Sequence, residues 1–286
     1  MEEIAIISSS KDTAGINIRN NLIELFDFEK LNEQFDGNDV FELNSDDKQI
    51  KLYLTNSDLI FSENIDKKID ADVLIFASKH RSKNNTPSFA VHAIGNWDKA
   101  ELGGKAKSLC QSSAALWKNL FIELNKNFSM YQKEKNFEIT MEATHHGPYV
   151  EKPAIFVEIG STENEWGNKE NGEIIAKTIM DGISNENKNY KIAVGIGGPH
   201  YCNNFNKIIL KTDFAFSHVC PKFMLGKLDG DLIEQLIKKS TEKVAFFLLD
   251  WKGLGKEKQR IVELLKKMNL EFKRADMIFK ELSNKS

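Results

Sequence analysis

The sequence predicts an α/β protein: a mixed central sheet flanked by helices, in a single domain over residues 1–286. Three observations carry this. Short apolar runs alternate with helical patterns along the whole chain. The opening is a strand followed by a helix, the start of a parallel α/β unit. With 286 residues, 41% hydrophobic and 28% charged, the chain has the composition of a globular protein with a sizeable core. It shows neither a 20–50-residue repeat nor a low-complexity linker. A smaller lobe would have its boundary near 130–137.

The elements follow in order. "IAIIS" (4–8) reads as a buried strand. After it, Ile16, Ile18, Leu22, Ile23 and Phe26 fall at helical spacing, with Asp12 or Ser10 to cap the start. "IKLYLT" (50–55) and "ADVLIFAS" (71–78) read as strands. In "SFAVHAIG" (88–95), Phe89, Val91 and Ala93 share one face and His92 takes the other. Residues 108–128 read as a long amphipathic helix after the turn "ELGG". "FEITMEAT" and "AIFVEIGS" are strands, and 163–183 is helical despite two glycines. "YKIAVGIG" (190–197) is a strand, and "FNKIILKTDFAFSHV" continues the β character. The tail reads as helix (230–240), strand (243–250), helix (256–268) and a short last strand. The charged stretches 33–48 and 184–189 read as surface connections.

Composition excludes several classes. A net charge of −3 gives no general attraction to nucleic acid, so a polyanion would need a local basic patch. Three widely spaced cysteines, Cys110, Cys202 and Cys220, argue for reduced thiols and a cytoplasmic location. "MEEIAIISSS" is neither a signal peptide nor an anchor, and the longest apolar runs fall far short of the ~20 residues a membrane helix needs. With no exposed apolar heptad, a monomer is expected.

All six histidines lie in or at the end of predicted strands, where open α/β sheets bind ligands. Four segments share that address. In "SKHRSKNNTPSFAVHAIGNW" (78–97), Lys79, His80, Arg81 and Lys83 form a basic loop able to hold phosphate oxygens; a merely solvated loop is the plainer reading. In "EATHHGP", His145 and His146 can aim at one point only if the strand has ended, and Gly147-Pro148 indicates that it has. They could shuttle protons, bind a metal or hydrogen-bond a carbonyl, or one could simply be packed and the other exposed. In "FVEIGSTENEWGN" (156–168), Glu158 interrupts an apolar strand and needs a partner. Ser161 or Thr162 with Glu165 makes a capping box at a helix start. "GIGGPHYCNNFNK" (195–207) presents His200 and Tyr201 beside a glycine turn that is neither a Walker loop nor a dinucleotide fingerprint.

Taken together, "SKHRS…TPSFAVHAIGNW", "EATHHGP", "VEIGSTENEW", "GIGGPHY" and the N-terminal "SSKDTAGINI" resemble the D-aminoacyl-tRNA deacylase family of archaea and plants. The motifs occur in that family's order over most of the chain, with Pro199 where members often carry a third glycine. The resemblance implies hydrolysis of the ester joining a D-amino acid to the terminal ribose of tRNA. It also implies a fold of the nucleoside phosphorylase and peptidyl-tRNA hydrolase type, and dependence on zinc, which the spacing itself does not show.

An aminoacyl ester is already activated, so a placed water and a stabilised oxyanion suffice. "GxSxG" is absent, which disfavours a covalent serine. The expected mechanism is direct water attack, with His145 or His146 as general base or zinc ligand and His200 assisting. Backbone N–H groups near Gly197 and Gly198 would hold the oxyanion. Glu142 or Glu158 would orient an imidazole or meet the substrate ammonium. Thr144, His80 and Tyr201 complete the substrate site, and Lys79 and Arg81 meet the acceptor-end phosphates, with Lys105 and Lys107 further out. The competing readings are a nucleoside phosphorylase-like enzyme, a peptidyl-tRNA hydrolase and a non-catalytic tRNA-binding module.

Overall fold

The computed structural model describes residues 1–45, 47–131, 137–185 and 189–284. Its first half contains β1 (Glu2–Ser9), α1 (Thr13–Leu25), β2 (Glu29–Phe35), β3 (Asn38–Asn44), β4 (Lys48–Thr55), β5 (Val73–His80) and β6 (Ser88–Ala93). The short β7 (Gly95–Asn96) and β8 (Ser108–Leu109) precede α2 (Ala114–Met130) and β9 (Glu138–Met141). The second half contains β10 (Ala154–Gly160), α3 (Glu163–Trp166), α4 (Lys169–Ser184), β11 (Lys191–Ile196), α5 (Asn203–Lys211) and β12 (Phe214–Cys220). α6 (Gly230–Lys238), β13 (Phe246–Leu249), α7 (Lys258–Lys267), β14 (Phe272–Arg274) and α8 (Ala275–Ser283) close the chain.

The strands form a mixed sheet in the order β2-β3-β4-β1-β5-β10-β6-β9 and a parallel one in the order β12-β11-β13-β14. Strands β4, β1, β5 and β10 run parallel, and β6 pairs antiparallel to β10. Alternation divides the central strands between two faces. Ile75, Ala77, Ile155, Val157, Phe89 and Val91 face a core shared with α1, α2 and α4 and with Phe216 and Val219 of the second sheet. Phe76 and Phe156 face the other way and stack at 4.8 Å. On that second face the chain turns polar toward the strand ends: Ser78 and His80 follow Phe76, and Glu158 follows Phe156.

Caps define the helix starts. The Asp12 carboxylate accepts from Gly15 N–H at 3.0 Å and the Ser113 hydroxyl from Leu116 N–H at 3.2 Å. Thr162 and Glu165 form the expected capping box, but it opens only α3. The helix expected over 163–183 breaks at Gly167, and Asn168 caps α4 afresh.

Three further expectations are corrected. Residues 33–48, read as a connection, contain much of the β2–β3 hairpin; its turn is Asp36-Gly37, both at positive φ (51° and 78°), the Asp-Gly signature of a tight hairpin. Its strand β2 is mostly exposed and so shows no apolar alternation. Residues 203–211, read in part as β, form α5, because Phe205, Ile208 and Ile209 are spaced to bury one helical face. The helix expected from 108 starts at Ala114, after β8. Residues 132–136 of the boundary considered near 130–137, and 186–188 of the connection at 184–189, lie outside the described residues. Among the described residues no helix is long and apolar enough to cross a membrane.

Candidate active site

The site lies at the C-terminal ends of β5 and β10. Parallel register sets Ser78 beside Glu158 and His80 beside Gly160, and antiparallel register sets His92 beside Phe156. Since Ser78, His80, Glu158 and His92 all point to the second face, four polar side chains meet there. The Ser78 hydroxyl donates to Glu158 Oε1 at 2.6 Å. His80 Nδ1 and His92 Nε2 approach Glu158 Oε2 at 3.5 and 3.6 Å.

The second half of the site comes from the segment after β9. Residues 142–146 thread between the two sheets: Glu142 N–H donates to Val91 O, Ala143 N–H to His200 O and Thr144 N–H to Val219 O. Glu142 is fully buried and stands 3.3 Å from His80 Nδ1, 3.6 Å from His200 Nε2 and 3.7 Å from His145 Nε2. Among the described residues no hydrogen bond reaches either of its carboxylate oxygens, nor His92 Nε2. Buried polar atoms left this way call for a ligand.

Why two adjacent histidines share one pocket is now clear. His146 has φ 43°, the left-handed region, which a non-glycine residue enters at a cost of ~1–2 kcal/mol. The strand alternation is thereby broken, and the rings of His145 and His146 lie 4.3 Å apart. Gly147 is needed for a different reason: a Cβ there would sit 2.2 Å from Gly104 N and 2.5 Å from Ile60 O. This close approach brings up the loops that carry Ile60 and Leu102, one wall of the site.

The imidazoles have assigned protons. His145 Nδ1 is 2.8 Å from Ala143 O, His146 Nδ1 2.6 Å from Gly147 O and His92 Nδ1 3.1 Å from Ala93 O. Each carbonyl can only accept, so each Nδ1 carries the hydrogen and Nε2 keeps its lone pair when the ring is neutral. Desolvation, then the neighbouring His92, His146 and His200, hold His145 well below the usual histidine range. Desolvation and His92 bring His146 down to about 4. Burial opposes charge on His80 too, but Glu158 and Glu142 outweigh it and raise its pKa to about 9. Burial would raise the Glu158 carboxyl; His80 and His92 instead hold it well below the carboxylate range. Burial likewise opposes charge on His92, but Glu158 and Glu142 outweigh it and raise its pKa. Two imidazoles that favour the charged form, His80 and His92, thus face the carboxylates beside the neutral His145 and His146 with free lone pairs.

Three overlapping groups place their donor atoms within 4.8 Å of one another and could hold a metal ion: His92–His145–His146, Glu142–His145–His200 and His80–Glu142–Glu158. They border a cavity of about 400 Å³ whose rim includes Lys79, Arg81, Ile60 and Leu102. Lys79 and Arg81 lie over the ring of Trp166 at 5.7 and 5.0 Å.

The structure places the expected residues unevenly. His80, Glu142, His145, His146, Glu158 and His200 come together, and Tyr201 joins them through its hydroxyl, 3.3 Å from His80 Nε2. Thr144 does not: it is fully buried, its hydroxyl accepts from Val219 N–H at 3.0 Å and its carbonyl from the Trp97 indole at 2.6 Å. It stitches the sheets together. Gly197 gives its N–H to Cys220 O at 2.8 Å, so that N–H is not available to an oxyanion; both it and Gly198 pack against Asp250. Lys105 lies over Tyr149, and Lys107 pairs with Asp229. His92 was assigned no role from sequence, yet its ring lies 4.2 Å from that of His145; its polar position in an apolar strand was the available signal. His218 remains apart, buried with Nε2 on Cys110 O at 3.0 Å.

The fold is that of an α/β protein with buried carboxylates and imidazoles gathered at its strand ends. A model of the D-aminoacyl-tRNA deacylase family matches residues 67–273, and the chain belongs to that family. It is 38% identical over 275 residues to a D-aminoacyl-tRNA deacylase of Pyrococcus furiosus, covering 93% of this chain and 98% of that one. To the D-aminoacyl-tRNA deacylase of Methanosarcina barkeri it is 34% identical over 290 residues, covering 99% and 92%. The crystal structure of a conserved protein of unknown function superposes with a TM-score of 0.86 at 34% identity, over 98% of this chain and 97% of that chain.

Proposed function

We infer that this protein hydrolyses the ester of D-aminoacyl-tRNA, releasing the free D-amino acid and the tRNA. The observation that carries the mechanism is the set of pinned histidines: Nδ1 of His92, His145 and His146 is held by backbone carbonyls, beside a buried carboxylate with unbonded oxygens. His145, kept neutral by its surroundings, accepts a proton through Nε2 from the attacking water. Water adds to the ester carbonyl carbon, the C–O bond to the ribose breaks, and the ribose oxygen takes up a proton. Glu158, engaged by Ser78, His80 and His92, orients imidazoles rather than meeting substrate. Glu142 is the carboxylate left for a ligand. Lys79 and Arg81 at the rim meet the phosphates of the acceptor end.

The unbonded oxygens of Glu142 and the Nε2 lone pairs of neutral His145 and His146 are donors of the kind a metal uses, and zinc suits this mixture of imidazole and carboxylate. Glu142, His145 and His200 would hold it. With the ion in place His145 Nε2 would be a ligand, and the imidazole left to accept the proton is His146, whose Nδ1 is on Gly147 O and whose Nε2 keeps its lone pair. When bound, zinc would supply Lewis acidity toward water and the carbonyl.

The test compares deacylation of D-tyrosyl- and L-tyrosyl-tRNA, with metal-stripped protein and again with zinc restored. Fast, D-selective release is expected, strongest with zinc. Equal release of both stereoisomers, or of neither, ends the assignment. D-selective release without metal keeps the function and removes zinc from it.

A further inference from the structure

Phe223 is an aromatic side chain held in solvent beside the histidine cluster. It is 59% exposed, and its ring centroid lies 6.4 Å from that of His200, tilted by 35°. The turn that carries it, residues Lys222–Lys227, is firmly tied. Lys222 N–H donates to Gly198 O at 2.9 Å and Met224 N–H to Pro221 O at 3.0 Å, and Pro221 and Leu225 are buried. A lone exposed apolar residue needs no explanation. This one stands one ring outward from an imidazole that lines the cavity, next to the exposed Lys222.

We propose that Phe223 is the stacking platform for the terminal nucleobase of the aminoacylated RNA. The proposal rests on the deacylase reading and adds a subsite to it. The ester to be cut and the terminal base sit on the same ribose. Once the carbonyl is among His145, His146 and His200, the base must emerge at the rim, one sugar away. Every base has a π-face, so one ring receives it without a hydrogen-bond code, and a neighbouring cation suits the phosphate that follows. Other rings nearby are engaged: Trp166 is buried beneath Lys79 and Arg81 with its indole donating to His80 O, and the Tyr201 hydroxyl meets His80. Phe61, 55% exposed, lies close to Gly103 and does not line the cavity.

The test is a cycle in which the ring and the base are removed separately and together. KM is measured for the unaltered protein and Phe223→Ala, with D-tyrosyl-tRNA that is intact or lacks its terminal base. Each change alone is expected to raise KM about tenfold, with kcat moved less, and Phe223→Trp to restore it. Both together should raise KM no further, because either change removes the whole stack. Multiplicative effects, or an unaltered KM in Phe223→Ala, overturn the platform while turnover by the unaltered protein keeps the deacylase reading. Absence of that turnover overturns both. Phe61→Ala serves as the control for a general loss of exposed apolar surface, and its effect should multiply with base removal.

Discussion

At the N-terminal ends of the parallel strands lies a cavity of about 800 Å³, lined by residues that include Glu2, Lys48, Asp72, Ser113, Pro153 and Glu242. At the opposite ends lies the histidine cavity, about 400 Å³. The larger space has carboxylates too, but two of them, Glu242 and Asp72, are spent on the fold. Glu242 accepts from the Ser113 hydroxyl at 2.8 Å and from the N–H groups of Ala114 and Ala115 at 2.9 and 3.0 Å. Asp72 accepts from Glu3 N–H at 2.9 Å. Directly behind three residues that line the smaller space, His80, His145 and His200, Glu142 is fully buried and, among the described residues, no hydrogen bond reaches either of its oxygens. Size therefore does not mark the site. What marks it is buried polar capacity that the fold itself leaves unused.

The strongest way to break this contrast is Glu142→Gln. The change keeps the shape and removes the charge that faces His80, His145 and His200. We expect kcat/KM for D-aminoacyl-tRNA to fall on the order of 10²–10⁴-fold, with a smaller loss of stability, since His80 keeps Glu158 as its other carboxylate partner. A stability loss with activity kept would make Glu142 a structural residue like Glu242.

The sequence made one of these ends legible and hid the other. Motifs at strand ends pointed to His80, Glu142, His145, His146, Glu158 and His200, because titratable residues in apolar strands are conspicuous. The turn at His146 could be anticipated from Gly147-Pro148. His92 escaped because its partner, Glu158, is 66 positions away and register across β6 and β10 is not written locally. Thr144 was misplaced for the opposite reason: it adjoins the histidines in sequence, yet the segment crosses between sheets there and spends its groups on Val219. Gly197 was misjudged likewise, since the bond from its N–H to Cys220 O is a tertiary fact. The hairpin of β2 and β3 was missed because an exposed edge shows little apolar alternation.

A buried histidine outside the cluster sharpens the comparison. His218 is fully buried, and desolvation brings its pKa down to about 4. Its folded pKa lies below the unfolded value of about 6.5, so the neutral ring is favoured by the fold. Its contribution is fully present above pH 6.5 and is lost as the pH falls from there toward 4, amounting to about 3 kcal/mol. Urea unfolding of His218→Gln at pH 7 and at pH 4.5 should show a flatter dependence than the unaltered protein, with D-aminoacyl-tRNA turnover at pH 7 retained. An unchanged slope would mean that His218 is protonated within the fold.

Glu242→Ala probes the opposite end directly. It removes the carboxylate that holds the start of α2. Losing that cap and its charge-assisted bonds should cost about 1–2 kcal/mol in chemical denaturation, with kcat/KM unaltered. A fall in activity matching that of Glu142→Gln would show that the larger cavity takes part in the reaction and would dissolve the distinction.

The smallest effect separates the two ends by charge rather than by bonding. Arg81 lies over Trp166 and pairs with Glu163 at 3.7 Å, with both side chains largely exposed. A pair of that kind contributes little to stability, so Arg81→Ala should leave the melting temperature nearly unchanged. If Arg81 meets an acceptor-end phosphate, its loss should raise KM about threefold and lower the slope of log KM against log salt by about 0.7, the share of one single-strand phosphate contact. Lys48→Ala, at the rim of the larger cavity, removes the same charge from the other end of the sheet and should leave that slope alone. If both substitutions lower the slope equally, the tRNA is drawn to the whole surface, and the rim at Arg81 does not direct its acceptor end.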